Sequence, residues 1–400
     1  MSASQPLAQS RPDLPAAGRV LLSLLARLRH GSLRLITPDG EELWFGQPKQ
    51  PADASLILRD WRACARILQR DDIGFAESYR DGWLDSPDLT ALLRLAQRNE
   101  DALQLGALGR LASRLWHRLR HALRGNSRRG SRRNIHAHYD IGNDFYRLWL
   151  DPSWTYSSAW FDGDYGRSLA DAQAAKYQRI CDELQLKPGM RVLEIGCGWG
   201  GFAEHAARRG VAVHGITLSK AQLDFAQARL AQEPLARLEW LDYRDLRGQY
   251  DAIVSIEMFE AVGERYWGRY FDTLRRCLKP GGRALVQSIT IEEARFAQYR
   301  AEADFIQTYI FPGGMLPSRE RFQRSAEQRG LACRSRLDFG PDYAETLRRW
   351  RSGFETRLPE VRAQGFDEAF IRLWRLYLCY CEAGFDEGRI GVSQFLLQRS

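Results

Sequence analysis

The sequence predicts an α/β protein in which a doubly wound, Rossmann-like domain is preceded by a small α+β domain. From about residue 180 to residue 290, buried-strand runs such as VLEI and AIVSI alternate with helical segments such as KAQLDFAQARLAQ. That βαβ rhythm is typical of a parallel sheet with helices on both faces. Before residue 103 the strand runs are short and meet at a tight turn, and the 400-residue length itself exceeds one ordinary domain.

The predicted domains follow one another along the chain. Residues 1–18 are rich in Pro, Ala and Ser and are expected to be disordered. In residues 19–102, the helical run RVLLSLLARLRH leads to GSLRLITPDGEELWFG, where two alternating runs meet at Pro-Asp-Gly, a good hairpin turn. Residues 103–133 are predicted to form a basic amphipathic linker helix and loop, and residues 134–400 the doubly wound domain.

The predicted linker has an uneven charge pattern. Between Arg110 and Arg133 there are nine arginines and no acidic residue, and leucines recur at helical spacing. A basic amphipathic helix can lie on anionic lipid headgroups, and a solvated linker helix packed on the next domain is the equal alternative. Sedimentation with anionic vesicles at low salt separates these two hypotheses. Nucleic acid is not expected as a partner, since neither a binding motif nor interleaved aromatic residues accompany the arginines.

Charge, apolar runs and cysteine spacing indicate in which cellular compartment the protein is expected. The formal net charge is +8, and no apolar run approaches the length of a membrane span, about 20 residues. The N-terminal segment lacks the apolar core of a signal peptide, so we expect a cytoplasmic protein. The seven cysteines are scattered without a C-x-x-C pair, which favours free thiols over a metal site.

The stretch VLEIGCGWGG, residues 192–201, is the most informative part of the chain. Its glycines let the backbone approach a ligand closely, because glycine has no Cβ and tolerates a positive φ. The spacing is G-x-G-x-G rather than the G-x-G-x-x-G of dinucleotide sites, and the next strand ends in Thr217 instead of a ribose-binding acid. These features favour S-adenosylmethionine (AdoMet) over NAD as the ligand.

Six motifs occur in order: HYDIGNDFYRLWLDPSWTYSSAWF, VLEIGCGWGG, GITLSKAQ, YRDL, SIEMFEAVG and YIFPGGMLPS. Together they make the chain resemble the cyclopropane fatty acid synthases, which use AdoMet to add a methylene group across a cis double bond of a lipid acyl chain. The resemblance covers residues 130–400 strongly. The stretches GSLRLITPDGEELWFG and GFAESYRDGWLDSPDLTALL also look like the amino-terminal domain of the bacterial phospholipid enzymes.

The resemblance implies an AdoMet site built on several loops. Tyr156 and Ser157 would touch AdoMet, with Gly196 at its methionine end. Thr217, Leu218 and Gln222 would surround the ribose, and Tyr243 and Arg244 would lie near the adenine. The loop glycines Gly198 and Gly200 complete the predicted cofactor-binding set.

The resemblance also implies a bound bicarbonate as the base that removes a proton when the ring closes. In the family its ligands are a Cys in a YSCA segment, a Glu in an MFE segment, a His and an Ile after K-P-x-G, and a Tyr in D-Y-x-x-T-L. Here Glu260, Ile289 and Tyr343 match, whereas Ser158 stands at the Cys position and Gln287 at the His position. Ser and Gln keep hydrogen-bonding capacity, so these residues remain candidate ligands of an anion.

Three further residues bear on the catalytic chemistry. Ala261 stands where the family usually has a His after the MFE segment. Glu257, three residues before Glu260, is the weaker carboxylate candidate. Cys381 aligns with a cysteine near the C-terminus of the family; it is kept among the catalytic candidates, although packing is the preferred interpretation.

Three functional hypotheses result. The first is a cyclopropane synthase that acts on unsaturated phospholipid, as a peripheral protein at the inner face of the membrane. The second, favoured by EMFEAVG together with Gln287, is a methyltransferase that makes methylene- or methyl-branched acyl chains without ring closure. The third is a lipid-binding protein with an inactive catalytic domain. Whether the protein forms a homodimer is left open.

Overall fold

The computed structural model describes residues 14–47, 49–103 and 141–399. The arginine-rich segment between Arg110 and Arg133 lies outside the described residues, as does most of the N-terminal segment predicted to be disordered. Helix α1 (Ala16–Leu25) includes the last residues of that segment. The domain boundaries themselves stay a prediction.

The small α+β unit is built around a sheet with strand order β2-β1-β3-β4. Its elements are β1 (Ser32–Ile36), β2 (Glu42–Gly46), β3 (Ala54–Leu58), α2 (Arg62–Arg80), β4 (Leu84–Asp85), α3 (Leu89–Arg98) and α4 (Glu100–Leu103). β1 and β2 form the hairpin that the sequence predicts, with Ile36 opposite Glu42. Gly40 takes a φ of +83° in the turn, a conformation that favours glycine.

A second sheet of seven strands forms the centre of the larger part. Its strands are β5 (Arg191–Ile195), β6 (Ala212–Thr217), β7 (Ala236–Trp240), β8 (Tyr250–Ile256), β9 (Leu278–Ile291), β10 (Leu331–Asp338) and β11 (Ile390–Arg399). Their order is β10-β11-β9-β8-β5-β6-β7. β11 runs antiparallel to both of its neighbours, and the pairs from β9 to β7 are parallel.

Helices cover both faces of this sheet. They are α5 (Asn143–Arg147), α6 (Leu169–Glu183), α7 (Gly201–Ala207), α8 (Lys220–Arg229), α9 (Trp267–Cys277), α10 (Glu293–Ala301), α11 (Arg319–Glu327), α12 (Gly340–Thr356), α13 (Leu358–Ala363) and α14 (Glu368–Asp386). A single π-helical turn spans Ile306–Ile310. The predicted α/β fold class is confirmed. Among the described helices, none has the combination of length and hydrophobicity that a bilayer span needs.

The strand order places a crevice at one edge of the large sheet. β5, β6 and β8 are mostly buried, which explains why their sequences read as nearly continuous apolar runs. From β5 the chain moves to β6 and β7 on one side, and then returns to β8 and β9 on the other. The carboxyl ends of β5 and β8 therefore flank a topological switch point, where sheets of this type bind ligands.

Ionic contacts join the small unit to the C-terminal helix α14. Glu382 on α14 is buried, with 1% of its side chain exposed. Its carboxylate accepts from Arg351 Nε at 2.8 Å and lies 3.4 Å from both Arg94 Nη2 on α3 and Arg348 Nε. Next to it, Arg98 binds Glu387. Three guanidinium groups therefore converge on one buried carboxylate at this junction.

We predict that Glu382→Ala lowers the free energy of unfolding by about 3 kcal/mol, because removing one partner leaves the buried side of the guanidinium groups without compensation. Urea unfolding followed by tryptophan fluorescence measures the change. Glu360→Ala is the control, since Glu360 keeps 44% of its side chain exposed and pairs with Arg357 at the surface; it should shift stability by less than about 0.5 kcal/mol. Equal effects of the two substitutions would show that the junction adds no more than a surface pair.

Candidate active site

A cleft lies at the carboxyl ends of β5, β6, β7 and β8. Its wall combines the turns after these strands with residues 154–157, which precede α6. This is the position that the topological switch point predicts. Most of the predicted cofactor-binding residues line it, namely Tyr156, Ser157, Gly196, Gly198, Thr217, Leu218, Gln222 and Tyr243.

Gly200 and Arg244, the other two predicted cofactor residues, lie beside the cleft and not on its wall. A Cβ on Gly200 would lie 3.1 Å from a methyl group of Leu230, so this glycine packs against the end of α8. Arg244 is buried and donates to the Asp242 carboxylate from Nε at 2.8 Å and from Nη2 at 2.6 Å. That pair braces the turn that carries Tyr243.

The glycine turn after β5 combines a close approach with an open face. Gly196 has a φ of +87°, and a Cβ there would lie 2.9 Å from the side chain of Met258 in the turn after β8. Gly198 has a φ of +51°, and a Cβ there would meet nothing within 4 Å. Gly198 therefore presents bare backbone to the open cleft, which suits a ligand that contacts the main chain.

The rest of the wall has the chemistry that AdoMet requires. Thr217 ends β6 and Gln222 lies in the first turn of α8, so a hydroxyl and an amide face the same space as Tyr243. Ser219 caps α8 by accepting from Gln222 N at 3.3 Å, and its own N–H donates to Thr217 Oγ1 at 3.1 Å. None of the described lining residues is Lys or Arg, which agrees with a ligand that has no phosphate. These residues fit AdoMet.

Glu257, the residue after β8, collects three hydrogen bonds. Its Oε1 accepts from Ser158 N at 2.9 Å and from Gln287 Nε2 at 2.7 Å, and its Oε2 accepts from the Tyr343 hydroxyl at 2.6 Å. An ionised carboxylate is purely an acceptor, so three converging donors match that form. Glu257 also has a φ of +49°. This backbone conformation is costly for a residue with a side chain, and such residues cluster at active sites.

Glu260 faces β9 from the short 3₁₀ helix Phe259–Ala261. Its Oε1 accepts from Ile289 N at 2.5 Å and from Ser288 Oγ at 3.1 Å, whereas its Oε2 is buried without a partner among the described residues. Burial, and next the charge of Glu257, raise the pKa of Glu260 to about 8. At pH 7 Glu260 is therefore mainly protonated.

The two carboxylates differ in their counter-charge. Burial raises the pKa of Glu257 as well, but the ammonium of Lys176 opposes that shift most strongly, followed by the bond from Tyr343. Lys176 is fully buried on α6. Glu194, near the end of β5, lies on the cleft wall as Glu257 does, and burial raises its pKa well above the usual range. Neighbouring carboxyl groups in different environments are typical of sites that transfer protons.

Four of the predicted catalytic residues donate hydrogen bonds to Glu257 or to Glu260, which is itself a fifth. These four are Ser158, Gln287, Ile289 and Tyr343, and Cys381 is the exception. Ser158 contributes its backbone N–H, while its hydroxyl donates to a neighbouring carbonyl. Gln287 donates its amide to Glu257 and accepts from Gln394 Nε2 at 3.0 Å. Cys381 on α14 makes none of these bonds, and burial raises the pKa of its thiol, which agrees with a packing role.

Sequence reasoning missed Lys176 and Glu194. One signal was available for each. Glu194 is an acid inside the apolar strand run VLEI, and Lys176 stands in the alanine-rich segment ADAQAAKY, in a chain with few lysines. Neither pattern by itself distinguishes a functional buried charge from a surface one.

Most of the groups expected to hold a bicarbonate bind carboxyl groups of the chain instead. Of the groups expected to hold it, Ser158, Gln287 and Tyr343 donate to the carboxylate of Glu257. The Ile289 N–H in turn donates to Glu260. The donors expected to bind an exogenous anion therefore already bind carboxyl groups of the chain.

Comparisons with known proteins identify the family of the chain. The family described as mycolic acid cyclopropane synthetase matches residues 126–395. The chain is 39% identical to the tuberculostearic acid methyltransferase UfaA1 of Mycobacterium tuberculosis, over 97% of this chain and 93% of that protein. It is 38% identical to the cyclopropane-fatty-acyl-phospholipid synthase of Escherichia coli, over 87% of this chain and 88% of that protein.

A solved structure of mycolic acid cyclopropane synthase CmaA1, complexed with SAH and CTAB, superimposes with a TM-score of 0.62. That protein is 34% identical, and the match covers 67% of this chain and 98% of the other. Sequence and fold thus point the same way. The chain belongs to the mycolic acid cyclopropane synthetase family and is an AdoMet-dependent methyltransferase.

Proposed function

We propose that the protein transfers a methylene group from AdoMet to the cis double bond of an unsaturated acyl chain in membrane phospholipid, giving a cyclopropane. The observation that carries the proposal is the carboxylate of Glu257. This residue lies on the wall of the AdoMet cleft, and its carboxylate accepts three hydrogen bonds. The family membership supports modification of an acyl chain, and the phospholipid and the ring are the finer part of the proposal.

The chemistry sets what the chain must provide. AdoMet supplies an electrophilic methyl group. The alkene electrons form the new C–C bond as the S–CH₃ bond breaks, which leaves a carbocation on the acyl chain. Glu257 takes a proton from the added methyl group, and the electrons of that C–H bond close the ring. A carboxylate held close to the reacting carbon favours this prompt loss of the proton.

Glu260 has a different role in this proposal. Because its pKa is raised to about 8, Glu260 mainly carries a proton at neutral pH, and the protonated carboxyl group cannot accept another. Its bond to Ile289 N ties the turn after β8 to β9, which also carries Gln287. Glu260 therefore positions the turn that presents Glu257.

A second product is favoured by a specific observation. A relative that matches nearly the whole chain is named a tuberculostearic acid methyltransferase, and Glu257 and Gln287 belong to the pattern that suggested branched products. In that reaction the cation loses a neighbouring proton and no ring closes. The contact of residues 110–133 with the membrane stays a prediction, because that segment lies outside the described residues. A homodimer stays a prediction as well.

Product analysis tests the function. Purified protein with AdoMet and vesicles of unsaturated phospholipid should yield a cyclopropane acyl chain, detected by proton NMR of the extracted lipid. Exocyclic methylene protons resonate far from cyclopropane protons, so they would identify the branched product instead. AdoMet binding without any modified lipid would favour the inactive lipid-binding protein.

Gly198→Val should abolish AdoMet binding, measured by calorimetry, because a β-branched side chain would occupy the open face of the glycine turn. Gly248→Val is the matched control. Gly248 has a φ of +91° with nothing near its Cβ position, and it lies exposed before β8, so the substitution adds similar backbone strain away from the cleft. Unchanged affinity in a folded Gly198→Val protein would exclude this position for the ligand.

Glu257→Gln should reduce turnover by roughly 10²-fold or more while sparing AdoMet binding, the usual cost of losing a general base. Glu260→Gln should lower turnover by less than about tenfold, because an amide imitates the protonated acid.

Wild-type turnover should fall as the pH drops through the raised pKa of Glu257, because protonation removes the base.

The opposite ranking of the two variants would return the principal role to Glu260, as the sequence predicted. Carbonate-depleted buffer should leave wild-type turnover unchanged. A clear slowing in that buffer would revive bicarbonate as the base.

A further inference from the structure

Helix α6 presents two buried polar side chains to the cleft wall. Gln173 and Lys176, which lie one turn apart, are both fully buried. Gln173 Nε2 donates to the backbone oxygen of Ser157 at 2.9 Å, and Lys176 Nζ donates to the hydroxyl of the same residue at 2.7 Å. The next residue in the chain, Ser158, donates its N–H to Glu257. α6 therefore holds the segment that positions one of the three donors to the base.

Acidic groups on three separate elements favour the charged form of Lys176. They are Glu257 at the end of β8, Asp151 in the loop before residues 154–157, and Glu194 on β5. On its own helix, its Nζ lies 5.0 Å from the ring centroid of Tyr177. Since the described residues that line the cleft include no Lys or Arg, the positive charge comes from behind the wall.

We propose that Lys176 is a positioning residue for the reaction, whose buried ammonium holds Ser157 in place and keeps Glu257 ionised. This inference rests on the proposed role of Glu257 as the base. A buried carboxylate without a counter-charge takes up a proton, so the three hydrogen bonds to Glu257 and the ammonium act together.

The charges on the two groups support each other. Burial lowers the pKa of Lys176 to about 7, and the surrounding acids, Glu257 first among them, oppose that shift. In turn, Lys176 is the strongest of the influences that lower the pKa of Glu257 against burial. Removing the ammonium should therefore raise the pKa of Glu257, so that the base is lost at higher pH than in the wild type.

The test is the pH dependence of kcat with AdoMet and vesicles of dioleoylphosphatidylglycerol. Lys176→Met and Lys176→Gln should each move the acid limb of the profile upward by about one pH unit or more, which is about a tenfold loss of turnover on that limb. Turnover should recover as the pH rises. Ser157→Ala, which removes the hydroxyl and keeps the charge, should raise KM for AdoMet without moving the limb. Lys187→Met removes an exposed lysine just beyond α6 and should change nothing.

The outcomes separate the charge of Lys176 from its packing. A folded Lys176→Gln protein with the wild-type profile would overturn the inference, even if its kcat were uniformly lower, because a structural defect does not shift the limb. If Lys176→Met fails to fold, Lys176→Gln decides, since it keeps a donor for Ser157. Glu257→Gln is measured alongside. Normal turnover in that variant would refute the role of Glu257 itself, whereas its loss together with an unshifted Lys176→Gln profile would refute only the role of Lys176.

Discussion

A buried anion at the switch point of the sheet is the constraint on which the rest of the site depends. An ionised carboxylate is stable away from water only where donors or a counter-charge replace its hydration. Glu257 receives donors from three separate parts of the chain: the segment before α6, strand β9 and helix α12. The chemistry proposed for the acyl chain needs a base that is ionised and yet shielded from water, and one network meets both needs.

The antiparallel strand β11 connects the C-terminus to this network. Its position between β9 and β10 sets Gln394 directly opposite Gln287. Gln394 Nε2 donates to Gln287 Oε1 at 3.0 Å, so the amide oxygen of Gln287 is engaged and its nitrogen is directed to Glu257. The antiparallel pairing of β11 thereby orients a donor in the site, because the bond to the amide oxygen of Gln287 fixes the direction in which its NH₂ group points.

Aromatic packing encloses the same site. The Tyr343 ring stacks on Phe385 of α14 with centroids 4.4 Å apart, and the Tyr156 hydroxyl lies 2.8 Å from that of Tyr377 on the same helix. Trp350 packs against Tyr156, with 5.2 Å between the ring centroids. Rings that exclude water and present π-faces suit both a sulfonium ligand and a transient carbocation. α14 is held in turn by the arginines that converge on Glu382, so the small α+β unit contributes to the position of the wall.

The sequence by itself determined the βαβ rhythm, the hairpin at Pro-Asp-Gly, the glycine turn and the AdoMet class of ligand. Each of these depends on residue period or turn chemistry within a short stretch. Only the tertiary structure decided which acid of SIEMFEAVG binds Ser158, Gln287 and Tyr343. Glu257 and Glu260 are three residues apart, and the choice rests on the positive φ of Glu257 and on Ser158 and Tyr343, which are 99 and 86 positions away. The buried charge of Lys176 was equally hidden, because a lysine is rarely buried unless groups on other elements stabilise its charge, and those groups come near it only after the chain has folded.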